Sequence, residues 1–181
     1  MSITESGFVT GEHPIVTTAV PCVDFDEFYG ATRQAIIRAL SATLGSNDLA
    51  IDATDEALAR AVQRWERVGR LDNPAGWVYR VGLNYARNRV RARLRRQPLA
   101  DLSDSSAPSP DTTVADPAVG EALARLSLDH RSVVVCRFLL DWSEQQTADA
   151  LAIRRGTVKS RLSRALAKLE RHLAHLRMEE S

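Results

Sequence analysis

SEQQTADALAIRRGTVKSRLSRALAKL, residues 143–169, reads as two short helices joined by a tight turn. Between Arg154 and Lys168 it carries six basic residues and no acid. That pattern predicts a helix-turn-helix whose second helix enters a DNA major groove. Along the second helix Val158, Leu162, Leu166, Leu169, Leu173 and Leu176 recur at spacings of three and four, the stripe a helix buries. At 100° per residue Ser160, Arg164, Ala167 and Arg171 fall on the opposite face. Thr157, Lys159 and Arg161 crowd the first turn, with Arg154 and Arg155 just before it. First-turn residues of a recognition helix are placed to reach base edges, and outlying cations hold phosphates. The bland alternative is a solvated basic face on a helical hairpin. Turn, stripe and polar first turn agree on DNA instead. His172 and His175, at i and i+3, lack a third ligand nearby and read as exposed helix-end histidines rather than a metal site.

Outward from this stretch the chain divides. Residues 97–116, QPLADLSDSSAPSPDTTVAD, hold three Pro, four Ser and four Asp with few apolar residues, the composition of a linker. After it, helices are predicted at about 117–127, 130–140, 143–151 and 155–177. The β-prone run Val133-Val134-Val135 is assigned to helix because Val134, Phe138 and Leu139 continue a helical spacing. Cys136 in that run reads as a buried free thiol, and Cys22 as exposed. Before the linker, Phe25, Phe28, Tyr29, Ala35, Ile36, Ala39, Leu40 and Leu44 form an apolar helical band that Gly45-Ser46-Asn47-Asp48 ends. A second helix is predicted from about Asp52 to Trp65, burying Leu58, Ala61, Val62 and Trp65. Pro74 is placed to open a third, about 75–96. That helix is apolar on two sides, through Val78, Val81 and Tyr85 and through Leu83, Ala86, Val90 and Leu94, as the centre of a small domain would be. The predicted fold is all-α: a flexible extension over 1–23, a helical domain over 24–96, a flexible linker over 97–116, and a helix-turn-helix domain over 117–177.

The formal net charge of the 181 residues is only +1, but the charges are segregated. Residues 1–32 and 97–118 contain no Lys or Arg, while residues 87–96 hold six Arg and no acid, so local fields outweigh the sum. The helix over 75–96 carries a polar stripe of Arg80, Asn84, Arg87, Arg91 and Arg95, with Trp77 and Asn88 at its edge. Cations, amides and an aromatic on one face can hold phosphates, bond base edges and stack an unpaired base. The loop Glu66–Asn73 adjoins this face and could close a pocket over a flipped base. Trp77 taken alone reads as core; the stripe as a whole reads as a nucleic-acid surface. The preceding helix presents Asp52, Asp55, Glu56, Arg60, Gln63 and Arg64 opposite its apolar side, and Glu56 and Arg60 can pair at i, i+4. Periodicity alone leaves open whether this is a protein-binding face or plain solubility.

With 44% hydrophobic residues the composition is that of an ordinary globular protein. No apolar run approaches the roughly 20 residues of a membrane span, the N-terminus lacks a signal-peptide pattern, and two cysteines without a CxxC suit a reducing compartment. A cytoplasmic protein is expected, with no membrane partner. No nucleophile with a base, metal-ligand cluster or phosphate loop is evident, so neither an enzyme, a metal nor a cofactor is expected.

DATDEALARAVQRW, DNPAGWVYRVGLNYARN and LARLSLDHRSVVVCRFLLDWSEQQTADALAIRRGTVKSRLSRALAKL together resemble the second and fourth conserved regions of the extracytoplasmic-function sigma factors of bacterial RNA polymerase. The regions stand in the family's order, the third is absent, and the resemblance covers about residues 24–176. It implies a promoter-specificity subunit whose partners are core RNA polymerase, through the clamp helices of the largest subunit and the flap of the second-largest, promoter DNA, and an anti-sigma factor. It implies polymerase contacts at Asp52, Asp55, Glu56 and Arg60. Minus-ten recognition and melting fall to Arg67, Arg70, Asn73, Trp77, Arg80, Asn84, Asn88 and Arg91. Minus-thirty-five reading falls to Arg154, Arg155, Thr157, Lys159, Ser160, Arg161 and Arg164. Departures from the family pattern are Ile51 for an acid, Asp55 for a Gln, Thr147 for an aliphatic and Ala152 for the turn Gly. The last two should cost stability on the order of 1 kcal/mol. A 20-residue linker reaches at most about 70 Å, enough for two sites about two duplex turns apart. The competing readings are a stand-alone DNA-binding regulator and an inactive sigma-like decoy held by a partner.

Overall fold

The computed structural model describes residues 24–96 and 117–179, and within them every regular element is a helix. The extension, the linker, Cys22 and the side chains of His175 and Leu176 lie outside what is described. Asp24 caps α1 (Phe25–Leu44) by accepting from the Asp26 amide, and Gly45 ends it in the left-handed region at φ 72°. Ser46 follows at once as the N-cap of α2 (Asn47–Val62). A two-residue joint thus replaces the expected four-residue turn, because Gly supplies the left-handed C-cap and Ser the N-cap side by side.

Helix α2 buries Ala50, Ala53, Ala57 and Ala61 with Leu58. Small residues let α4 (Pro74–Arg96) come close. A Cβ at Gly82 of α4 would lie 2.8 Å from Leu40 Cδ1 and 3.0 Å from the Ala53 carbonyl oxygen. Only glycine fits that approach. Val62, expected inside, is 49% exposed, since α2 stops there and Trp65 starts the single turn α3 (Trp65–Val68). Trp65 instead packs on Phe25 and Phe28, with ring centroids 5.2 and 4.8 Å away. Tyr29, at the edge of the expected α1 band, is exposed. Glu66 and Arg67 therefore sit on a helical turn, not in an open loop. Asn73 opens α4 by accepting from the Gly76 amide at 2.8 Å. Val78, Tyr79, Leu83 and Ala86 are buried on α4, whereas Val90 and Leu94 are exposed; the expected second apolar side of α4 is covered only over its first three turns.

The second unit comprises α5 (Pro117–Ala124), α6 (Leu128–Phe138), α7 (Glu144–Leu151) and α8 (Arg155–Glu179). Ser127 caps α6, and Ser143 and Gln146 form a reciprocal capping box on α7. On α8, Val158 and Ala165 are fully buried while Leu166 is 40% exposed. The stripe holds at Val158 and Leu162 and shifts by one residue at the next turn, where the small Ala165 meets Val134 of α6. Val133, Val134, Val135 and Cys136 are all buried. A helix apolar all round needs partners all round, and α6 has them: α7 and α8 on one side, α1 on the other.

That last contact was not visible in the sequence. The two units share one core, in which Val135, Cys136, Trp142 and Ala150 join the residues of α1, α2 and α4. Tyr79 and Trp142 meet edge to face at 5.8 Å, and the Tyr79 hydroxyl pairs with Thr43 Oγ1 at 2.7 Å. Arg131 of α6 donates to the Thr43 carbonyl at the end of α1 and to the Ala124 and Leu126 carbonyls at the end of α5. One guanidinium thus serves C-terminal carbonyls from both units, where helix dipoles favour a cation. Burial still lowers its pKa.

Candidate nucleic-acid and polymerase interfaces

The helix-turn-helix is built by local bonds. The Ile153 amide donates to the Ala148 carbonyl at 3.0 Å and the Ala152 amide to the Asp149 carbonyl at 3.3 Å, the Schellman arrangement for ending a helix. It puts Ala152 at φ 53°, ψ 46°, the left-handed conformation in which a Cβ is strained. The Ala-for-Gly departure therefore falls on the one turn residue that needs glycine. Thr147 lies fully buried with its Oγ1 lacking a hydrogen-bond partner. Ile153 packs with Val133, Ala148 and Val158, and this small cluster sets the angle between α7 and α8.

Of the residues assigned to duplex reading, Arg154, Arg155, Lys159, Ser160 and Arg164 are exposed at or near the start of α8, and Thr157 is half-buried. Glu144 of α7 pairs with Arg155 at 2.9 Å and reaches Lys159 at 3.7 Å. The Arg155 bond holds the Glu144 carboxyl below its usual range. Ser160 donates to the Thr157 carbonyl at 3.2 Å. Arg161 points elsewhere: it binds Asp129 Oδ2 of α6 at 2.8 Å.

On α4, Asn84, Asn88 and Arg91 are exposed, Arg80 is half-buried, and Trp77 is half-buried against the core. Arg67 and Arg70 are exposed just before it, while Asn73 is held by its capping bond. Arg80 donates to the Asp149 carbonyl at 3.3 Å. Arg87 binds Asp129 Oδ1 at 2.8 Å. A cleft of about 200 Å³ opens at the seam of the two units, lined by Arg80, Asn84, Arg87 and Arg161 among others.

The acidic face of α2 is pinned from both sides. Asp55 accepts two bonds from Arg33 of α1, at 2.9 and 3.0 Å. Asp52 pairs with Arg89 of α4 at 3.3 Å, and Glu56 with Arg60 at 2.7 Å. Arg60 and Arg89 also flank the Tyr85 ring at 6.0 and 5.8 Å, and Arg89 donates to the Tyr85 hydroxyl at 2.9 Å. That bond raises the Arg89 pKa above its ordinary value. These exposed pairs add little stability, but they hold carboxylates and cations in fixed alternation on an open surface. Arg33, Tyr85 and Arg89 were missed in the sequence; the i, i+4 spacing of Tyr85 and Arg89 was the available signal. Nothing marked Asp129 except its place in the first turn of α6.

This architecture, helices alone with a C-terminal helix-turn-helix, defines a class. The family model for sigma-70 region 4 matches residues 117–169. The RNA polymerase sigma-E factor of Streptomyces coelicolor is 33% identical over 153 residues, covering 83% of this chain and 86% of that protein. The ECF RNA polymerase sigma factor SigL of Mycobacterium tuberculosis is 34% identical over 132 residues, covering 69% and 75%. Among solved structures, the sigma factor RpoE of Bartonella quintana, crystallised with the anti-sigma factor NepR, superposes with a TM-score of 0.68 at 22% identity, covering 83% of this chain and 97% of that one. CnrH, in complex with the cytosolic domain of CnrY, gives 0.57 at 22%, covering 83% and 88%. The chain belongs to the extracytoplasmic-function sigma factors, proteins of bacterial transcription initiation.

Among the described residues no helix is long and apolar enough to cross a membrane, and no group of three or more His, Cys, Asp or Glu could hold a metal.

Proposed function

We propose that this sigma factor binds core RNA polymerase through the α2 face, directs it to a two-part promoter, and opens the DNA by capturing unpaired bases on α4. The observation that carries this reading is the union, in one chain of the family, of a basic helix-turn-helix with a second, separate Arg/Asn face. Asp52, Asp55, Glu56 and Arg60 stand ready-ordered and exposed, as a protein-docking surface requires. Arg154, Arg155, Thr157, Lys159, Ser160 and Arg164 would read or grip the minus-thirty-five duplex. Arg67, Arg70, Asn73, Arg80, Asn84, Asn88 and Arg91 would take the minus-ten strand. Trp77, half-buried against the core, would offer one edge to a base. The protein acts in the cytoplasm as a specificity subunit, and its regulation by an anti-sigma partner is part of the proposal.

The test is transcription by purified core polymerase on a pooled library of promoter-length DNA, with sequencing of the RNA 5′ ends. This protein should focus initiation onto templates sharing two short elements. Output identical to core polymerase alone would refute the reading. The Asn84→Ala variant should retain polymerase binding and lose initiation, with a melting curve to show that it folds.

A further inference from the structure

One carboxylate stands inside the basic surface of the helix-turn-helix. Glu144, the first residue of α7, lies across the turn from Arg155, the first residue of α8. Arg155 donates through Nε to Glu144 Oε2 at 2.9 Å, and Lys159, one turn further along α8, comes within 3.7 Å of the same oxygen. The Nε bond is the one hydrogen bond Arg155 makes among the described residues. Both Nη groups therefore stay open, on a side chain that is 62% exposed. The Ser143–Gln146 capping box fixes the start of α7 and the Ile153 cluster fixes its angle to α8, so the pair projects from ordered backbone. Arg154 and Arg164, exposed on the same basic surface, have no carboxylate partner among the described residues.

As an exposed ion pair this contact adds little to stability. Its consequence is electrostatic. An arginine attracts a phosphate chiefly by charge, and a carboxylate beside it offsets that charge and repels the phosphate. The hydrogen-bonding fork survives, because the Nη hydrogens keep their directions. A braced arginine therefore loses more at an anionic acceptor than at a neutral one. The neutral acceptor pair that a major groove presents to a guanidinium is O6 and N7 of guanine.

We propose that Arg155, braced by Glu144, reads a guanine in the duplex element, while the unbraced Arg154 and Arg164 hold phosphates. Glu144 is a positioning residue that acts through Arg155. It turns one cation of the recognition helix from general adhesion to sequence reading. The inference rests on the minus-thirty-five role proposed for α8 and assigns one base of that element.

The test uses the full chain bound to core polymerase and a pool of duplexes of randomised sequence, from which bound molecules are recovered and sequenced. The wild type should enrich an upstream element containing a fixed guanine. Arg155→Ala should lose roughly tenfold in preference for that base and leave the other positions unchanged. Arg155→Lys, which keeps the charge but not the fork, should not restore it. Glu144→Gln keeps an acceptor for Nε and removes the charge. It should raise affinity for duplexes outside the enriched set, steepen the fall of log K with log salt by about one, and shrink the preference for the guanine. Both side chains lie at the surface, and melting curves matching the wild type show that the variants fold. Uniform weakening of all sequences by Arg155→Ala, with a salt dependence shallower by about one, would make Arg155 a phosphate holder and overturn the proposal. Wild-type salt dependence and wild-type base preference in Glu144→Gln would overturn the bracing role. The two readings fail differently. If the wild type enriches a two-part promoter in which no position responds to Arg155, base reading by Arg155 fails and the sigma-factor role stands. If the wild-type complex enriches no sequence at all, both fall.

Discussion

Replacing Thr147 by Val should stabilise this protein. Thr147 sits in α7 with no exposure, and its Oγ1 has no hydrogen-bond partner. A buried hydroxyl without a partner forfeits its bonds to water, a penalty of about 1–3 kcal/mol. Val has nearly the same shape, so no cavity opens, and its helix propensity is close to that of Thr. The expected gain is therefore about 1–2 kcal/mol, at the lower half of that range because the turn can relax slightly. For a chain unfolding as one unit this raises Tm by about 2–4 °C per kcal/mol, whereas a helix-turn-helix melting alone would shift by about 4–8 °C. Thr54 supplies the control. It is equally buried, but its Oγ1 donates to the Ala50 carbonyl at 2.7 Å, so Thr54→Val loses a made bond and should be neutral or destabilising by up to about 1 kcal/mol. Urea titrations followed by circular dichroism measure both. If the two substitutions shift the midpoint in the same direction by the same amount, the unpartnered hydroxyl is not the cause and the reasoning fails.

Three further outcomes are expected. Ala152→Gly should stabilise by about 0.5–1 kcal/mol, as relief of left-handed strain of about 1–2 kcal/mol outweighs the added freedom of the unfolded chain; a lowered urea midpoint would contradict the observed φ of 53°. In a Cys22→Ser background Cys136 should resist iodoacetamide at pH 8 until urea unfolds the chain, because burial pushes its thiol up to about 12; equal rates in both states would contradict its burial. His130 is held below its ordinary value of 6.5, first by burial and then by Lys168, Arg161 and Arg164, with Asp129 opposing. Its unfolded form binds the proton more readily, so stability is full above about pH 6.5 and falls as pH drops toward the depressed value. His130→Gln should flatten the stability profile between pH 5 and 7, roughly the span of an ordinary histidine titration; an unchanged profile would exclude this histidine as the source.

Much of the fold was legible because helical periodicity and end signals are local. Gly45, Ser46, Asn73, Ser127 and Ser143 stop and start helices by bonds that span only a few residues. The errors lie where tertiary contact overrides a wheel projection. Val62 and Leu166 sit on the apolar arc and are exposed, since no neighbouring helix reaches them. Tyr79 attracted no notice because a lone tyrosine carries no pattern; its role is defined by Trp142, Thr43 and Cys136, the nearest of them 36 positions away.

By itself the sequence determined an all-helical chain, the helix-turn-helix, the Arg/Asn stripe and membership of the sigma-factor family. Each depends on residue types at short spacings, which a single strand of text preserves. The tertiary structure alone decided that the two units meet, that Arg131 joins the ends of α1 and α5, and that Asp129 draws Arg87 and Arg161 onto one carboxylate. Those outcomes depend on which faces find each other across long stretches of chain. Periodicity specifies that a face is apolar or charged; only packing decides what it is turned toward.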